Sequence, residues 1–510
     1  MKKILLLTIF LSLLNIGCDD QLDITNPNEP TVEVYWQSAD HALDGVNAIY
    51  STLHRGAISR WLPFYYIIRS DEGRSTSPAT DIVNNMDQFL VTDYNFWGAY
   101  DIWRDNYVGI FRANQVITYV PDIDMDQTMK ARVLGEARFL RAMFYYHLVT
   151  LWGNVPLMLT PSTPNDRPAT SSMEAVWAQI ETDLGEAVAS LPSSYPNPQD
   201  LGRATKGAAQ ALLARALMQQ RKFQQALVPL EWLVEGEGSA IYGLMPDYRD
   251  NFLITTENNQ ESVFEWQFEL NPGENHDDDT DERADALNYG TSIAQFFGPS
   301  GIGWSDGEAN RWVVDAFLEE QTVGGERDPR LAASFLFDYT DEAGPSETMI
   351  YGETFLERYG ADNQRVWFRK FQNDHWKDFE GYNSPNNWRY IRYADVLLMY
   401  AEALNETGST ADAYPHVDRV RQRAGLAPLS DVKPGLGQDQ FREQIKHERL
   451  LELSGEGHRW NDLARWGDLG PEVADRDPAF NSFDLGKDEL LPVPQQEIDI
   501  NPLLLQNPNW

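Results

Sequence analysis

A single cysteine, Cys18, stands in 510 residues, so no intramolecular disulfide can form and the core alone must hold the fold. Cations are also scarce: 41 Lys and Arg face 78 Asp and Glu, a formal net charge of −37. Nucleic-acid binding needs clustered Lys and Arg to neutralise phosphates and release counterions. This balance therefore excludes a nucleic-acid partner and disfavours anionic membrane surfaces. The carboxylate excess is read first as a solvated, solubilising surface. No apolar run approaches the roughly 18 residues that span a bilayer. The Gly-x-Ser-x-Gly elbow, the P-loop and the dinucleotide Gly-x-Gly-x-x-Gly are all missing. Eight histidines are scattered without metal spacing, so neither metal nor cofactor is expected. Paired carboxylates could hydrolyse glycosides, but 78 acidic residues make such pairs uninformative. The sequence names no catalytic residue.

What is present begins at the N-terminus. Lys2 and Lys3 precede a short apolar stretch, Ile4 to Leu14, with the layout of a secretory signal. Leu14-Asn15-Ile16-Gly17-Cys18 resembles a bacterial lipobox, with Asn15 in place of the usual small or apolar residue. That resemblance implies a signal peptide over 1–17, cleavage before Cys18, diacylglycerol on its sulfur and a lipidated tether over 18–35. Two or more acyl chains anchor stably, at about 0.8 kcal/mol per buried CH₂. Asp19 and Asp20 resemble the acidic export signal of surface lipoproteins, against the plainer reading of a solvated tether.

The remainder, 36–510, reads as one mainly helical, all-α domain. Helical patterning starts at Ser38, a fitting N-cap, and runs to about His54; a second helix covers Trp103 to Val120. In Met129 to Trp152 the apolar positions Val133, Ala137, Leu140, Phe144, Leu148 and Leu151 step by three or four, predicting one core-facing stripe. Gly153 and Pro156 stop it. His147, inside this pattern, is expected to be packed and hydrogen-bonded. Segments 208–235 and 397–425 share a helix–turn–helix plan with small residues at Ala216, Ala226, Ala403 and Ala413. Both resemble tetratricopeptide units without the full consensus, and such pairs must stack to bury their apolar faces. Residues 236–385 are rich in Gly, Asn, Asp and Pro and read as a long loop-rich insertion with short strands, where binding residues tend to sit. Its acidic stretch 274–282 lacks the spacing of a calcium loop and reads as solvated.

Aromatics are abundant: 16 Trp, 22 Tyr and 23 Phe. Exposed Trp or Tyr rings stack on the flat C–H faces of sugars. Trp103 and Trp152 lie on helix stripes and belong to the core. Trp304, in the glycine-flanked "GPSGIGWSDGEANRW", is the leading surface candidate, followed by Tyr289 and Trp97, with Trp376 and Trp388 behind them.

Several segments together resemble the SusD/RagB-like nutrient-uptake lipoproteins. These are "GEARFLRAMFYYHLVTLWGNVPL" (135–157), "NWRYIRYADVLLMYAEALNE" (387–406), "IKHERLLELSGEGHRWNDLARWG" (445–467) and "LLPVPQQEIDINPLLLQNPNW" (490–510), with "YYIIRSDEG" (65–73) and the lipobox. The resemblance spans nearly the whole chain in the family's order. It implies four tetratricopeptide-like pairs, an outer-membrane address and a SusC-like TonB-dependent transporter as partner. Capture of glycan without chemistry would then precede import. It also points to Arg60, Trp61 and Asp71, beside Tyr289 and Trp304, as ligand-binding candidates. The loop after Asp71 carries no aromatic where starch-binding members present Trp. Glu136, Arg138 and Arg141 are expected to serve the scaffold. Peptide capture is the alternative within the same class; a lipid-anchored glycosidase and a pure scaffold come from other classes.

Overall fold

The computed structural model describes residues 35–79, 81–270, 289–337, 349–360, 364–377 and 380–510. Cys18, the lipobox, the tether up to residue 34 and the acidic stretch 274–282 lie outside these residues. The frame consists of α1 (Ala39–Ser51), α2 (Leu62–Ile68), α3 (Trp97–Tyr119), α4 (Gln127–Trp152), α5 (Met173–Ser190), α6 (Lys206–Gln219), α7 (Phe223–Val234), α8 (Tyr393–Glu406), α9 (Thr410–Arg423), α10 (Gln438–Leu453) and α11 (Arg459–Trp466). From α3 to α9 each helix packs on the next, and α8 also packs on α10. Of the described residues, 54% are helical, in keeping with an all-α fold carrying small strand insertions.

Local chemistry sets the ends of these helices. The Ser38 hydroxyl accepts from the His41 amide at the start of α1. Asp126 caps α4 by accepting from the Met129 amide at 2.9 Å, and Gly153, at φ 69°, turns the chain out of it. The single stripe expected of α4 is a correction: from Phe139 to Val149 every residue is buried. α1, α3, α5 and α6 surround it, so a helix apolar on one side would have been unstable there. Polar side chains on this central helix are therefore paired. Arg141 forms a fork with Asp183 at 2.6 and 2.8 Å and reaches Asn114 at 2.8 Å. His147 bonds Asn106 and the Tyr390 hydroxyl, and burial drops its imidazole to about 3, so it stays neutral. Glu136 pairs with Arg203, and Arg138 with Glu186.

The two expected hairpins are α6–α7 and α8–α9. Ala216, Ala226, Ala403 and Ala413 are fully buried, letting the paired backbones approach. Gly408, at φ 90°, makes the second turn.

Between the hairpins, the described part of 236–385 forms short helices and strands. The strands that join this region to the frame are β1 (Gly73–Ser75), β2 (Ser262–Trp266), β3 (Gly307–Ala309) and β4 (Trp388–Arg392). β1 pairs antiparallel with β3, Gly73 opposite Ala309, and β2 with β4, Trp266 opposite Trp388. Since β4 runs straight into α8, the insertion is hydrogen-bonded to the frame at its base.

A buried ion network reinforces that seam. Arg392 reaches Glu261 at 2.5 Å, Glu452 at 3.0 Å and Glu456 at 2.7 Å. Arg330 from the insertion contacts Glu452 at 3.3 Å, and Arg423 of α9 contacts Glu261 and Glu452. Burial works to raise the Glu452 carboxyl; Arg423, Arg392 and Arg330 overcome it and hold it well below the usual carboxylate range. The acidic excess is thus not only a solvated surface. Part of it neutralises arginines inside.

Candidate ligand-binding face

The loop that carries Trp304 begins at the short helix Ile293–Phe297. A Cβ at Gly298 would lie 2.8 Å from Gly303 Cα, so glycine at both positions lets the loop close on itself. The Trp304 amide donates to the Gln295 carbonyl at 2.7 Å and that of Asp306 to Phe296 at 2.8 Å. With the backbone committed, the Trp304 side chain turns outward and is 50% exposed. It is propped edge-on by Phe296, centroids 4.9 Å apart, and by Tyr382 at 5.1 Å. Ser305 follows at φ 61°, a conformation that costs a non-glycine residue about 1 kcal/mol. Its hydroxyl accepts from Arg365 Nη2 at 2.6 Å and Trp367 Nε1 at 2.8 Å, and its carbonyl accepts from the Thr76 hydroxyl. These bonds hold the neighbour of Trp304 in place.

Arg60 and Trp61 end a π-helical stretch, Ala57–Trp61, and come together with Trp304 around Phe296. The Arg60 guanidinium lies 4.5 Å from the Trp61 ring and 4.6 Å from Phe296, and donates to Ser292 Oγ at 3.0 Å. Both residues are buried, so they brace the exposed ring from behind and do not face solvent; this corrects the expectation of direct contact. Asp71 also departs from expectation. It is fully buried, its carboxylate forked by Arg459 at 2.6 and 2.8 Å and touched by Arg476 at 3.2 Å. No ligand can reach it without unfolding that strut.

Tyr289 is 44% exposed. Its carbonyl accepts from the Glu269 amide at 2.7 Å, and Thr291, two residues on, bridges Ser384, so it enters beside the segment carrying Tyr382. Trp97 opens α3, and its side chain lies outside the described residues. Trp388 is core, stacked on Phe371 at 4.2 Å, whereas Trp376 is exposed, its indole donating to Asn373 Oδ1 at 3.0 Å. Sequence reasoning missed Tyr382 and Phe296. The signal for Tyr382 was its setting in "EGYNSPNN", as rich in turn formers as the Trp304 loop.

Two charges on the Tyr382 segment are committed to protein partners. The Lys377 amine, lowered by burial, donates to the Asn383 carbonyl at 3.0 Å. Glu380, raised by burial, accepts from Tyr351 and from Asn373. The face offers aromatic area and hydrogen-bonding edges, which suit stacking, and its described residues include no paired nucleophile and base. Among the described residues no group of three His, Cys, Asp or Glu could hold a metal ion, and no helix is long and apolar enough to cross a membrane.

Residues 235–510 match the sequence profile described as SusD family, and 71–218 match one described as starch-binding, associating with the outer membrane. A SusD-like protein of Formosa agariphila is 27% identical over 98% of this chain and 97% of its own length. A SusD superfamily protein of Bacteroides vulgatus superposes with a TM-score of 0.81 at 26% identity, covering 93% of this chain and 100% of the other. A laminarin-binding SusD-like protein gives a TM-score of 0.76 at 29% identity, with the same coverage of 93% and 100%.

Proposed function

The chain belongs to the SusD family, and on that premise we propose that it is a lipid-anchored receptor on the outer face of the outer membrane. In this reading it captures glycan at Trp304 and passes it to a SusC-like TonB-dependent transporter. The observation that carries the proposal is Trp304 itself: half exposed, braced by Phe296 and Tyr382, and followed by a residue locked in a strained conformation. A sugar ring laid on that indole finds Tyr382 at its edge. The laminarin-binding and starch-associated descriptions of similar proteins support glycan as the cargo class, and no described feature of the face favours peptide capture or hydrolysis. Lipidation at Cys18 would supply the tether.

Titration calorimetry with laminarihexaose, maltohexaose and other neutral oligosaccharides tests the reading. Trp304→Ala should weaken binding more than tenfold, a loss of about 1.4 kcal/mol, with thermal unfolding nearly unchanged. Undiminished affinity would remove Trp304 as the anchor. Cys18→Ser should release the protein from membrane fractions, and continued membrane association would refute lipidation as the sole anchor.

A further inference from the structure

A second concave surface lies away from Trp304, between α3 and the C-terminal segment 497–504, with the loop 156–168 as its other wall. Its volume is about 400 Å³, within the range of small-molecule sites. The walls are fixed to one another: Asn501 Nδ2 donates to the Pro168 carbonyl at 2.7 Å, and the Leu505 amide to Thr170 Oγ1 at 3.0 Å. Tyr107 and Phe111, one helical turn apart on α3 and half-buried, supply an aromatic lining, with Trp103 buried behind them.

One carboxylate in this groove has no partner among the described residues. The Glu497 carboxylate makes no hydrogen bond or ion pair, and burial alone pushes it up from its ordinary value. Arg104, paired with Asp101 at 2.9 Å and Asp105 at 2.8 Å, stands on the rim with Asp166, Arg167 and the Ser162 hydroxyl. An isolated carboxylate would call for a cation, but the Arg167 guanidinium on the same rim, bonded to the Pro164 and Asp166 carbonyls and to no carboxylate among the described residues, opposes one. Acceptor and donors arranged around aromatic carbon instead match a neutral ring bearing several hydroxyls.

We propose that this groove is a second carbohydrate subsite, taking a neutral sugar ring against Tyr107 and Phe111 with its hydroxyls on Glu497 and Ser162. The inference rests on the glycan reading for its cargo class and not on Trp304. A chain with two such sites could hold one polymer at two points, raising avidity through effective concentration.

The experiment is calorimetry with laminarihexaose and maltohexaose on wild type, Trp304→Ala, Glu497→Gln and Val108→Trp, the last placing a bulky side chain in the groove. Circular dichroism melts establish that each variant is folded. The expected result is a binding event that survives Trp304→Ala, weakens about tenfold in Glu497→Gln and disappears in Val108→Trp. Loss of all binding in Trp304→Ala would overturn the groove and leave the proposed function standing. Binding that is indifferent to Trp304→Ala but lost in Val108→Trp would support the groove and sink Trp304. A wild type that binds neither sugar would overturn both.

Discussion

Replacing Asp71 by asparagine tests whether this residue is a strut or a contact. The carboxylate is fully buried and takes a two-point fork from Arg459, itself 7% exposed. Burial works to lower the Arg459 guanidinium, and Asp71 is the main group that overcomes it. Removing the negative charge strands a buried cation. Breaking such a pair from one side costs about 3–5 kcal/mol. The amide that replaces the carboxylate can still accept one hydrogen bond, so the lower end, about 3 kcal/mol, is expected. Chemical denaturation followed by circular dichroism should show a clear fall in midpoint. Calorimetry on the folded variant should give wild-type oligosaccharide affinity within about twofold, because the carboxylate touches no exposed surface. The double variant Asp71→Asn, Arg459→Met should recover part of the loss. An Asp71→Asn protein of undiminished stability with tenfold weaker binding would refute this reasoning and return Asp71 to the ligand.

Gly109→Ala should also destabilise, against the gain of about 1 kcal/mol that alanine usually brings to a helix interior. A Cβ there would run into the buried Phe144 ring, and the overpacking should give a net loss of about 2 kcal/mol in denaturant titration. Asp87 is pushed up to about 8 by burial and then by Asp477. A carboxyl raised in the folded state contributes stability that is complete below its unfolded value, near 4, and is lost as pH climbs through 8. Asp87→Asn should therefore gain on wild type by at least about 1 kcal/mol between pH 5 and pH 9 in urea titrations. A pH-independent difference would refute the assignment.

Helices were legible because their signals are local. Ser38, the 129–152 pattern and the alanines of the two hairpins act through spacings of three or four residues along one segment. The burial of α4 on every side was not legible, because that depends on which elements surround it. The same limit hid the ion network: nothing near Arg392 in sequence announces Glu261 or Glu452. Trp304 was legible as a surface residue since its glycines mark a loop that no core claims. Arg60, Trp61 and Asp71 were assigned by resemblance, and their burial is decided by contacts with Phe296 and Arg459, hundreds of positions away. Glu497 and the groove on α3 gave no sequence signal, since an aromatic facing a neighbouring helix and one facing a groove share the same helical period.

The seam between β2 and β4 has a consequence for how such proteins diversify. Because the ladder and the arginine cluster around Arg392 fasten the insertion at its root, with β3 and Arg330 as further anchors, the exposed loop surface between these anchors can lengthen, shorten or exchange its rings while the helical frame keeps its shape. Selection for a new ligand then acts on a small area of loop surface, and the damage done by each failed trial is confined there.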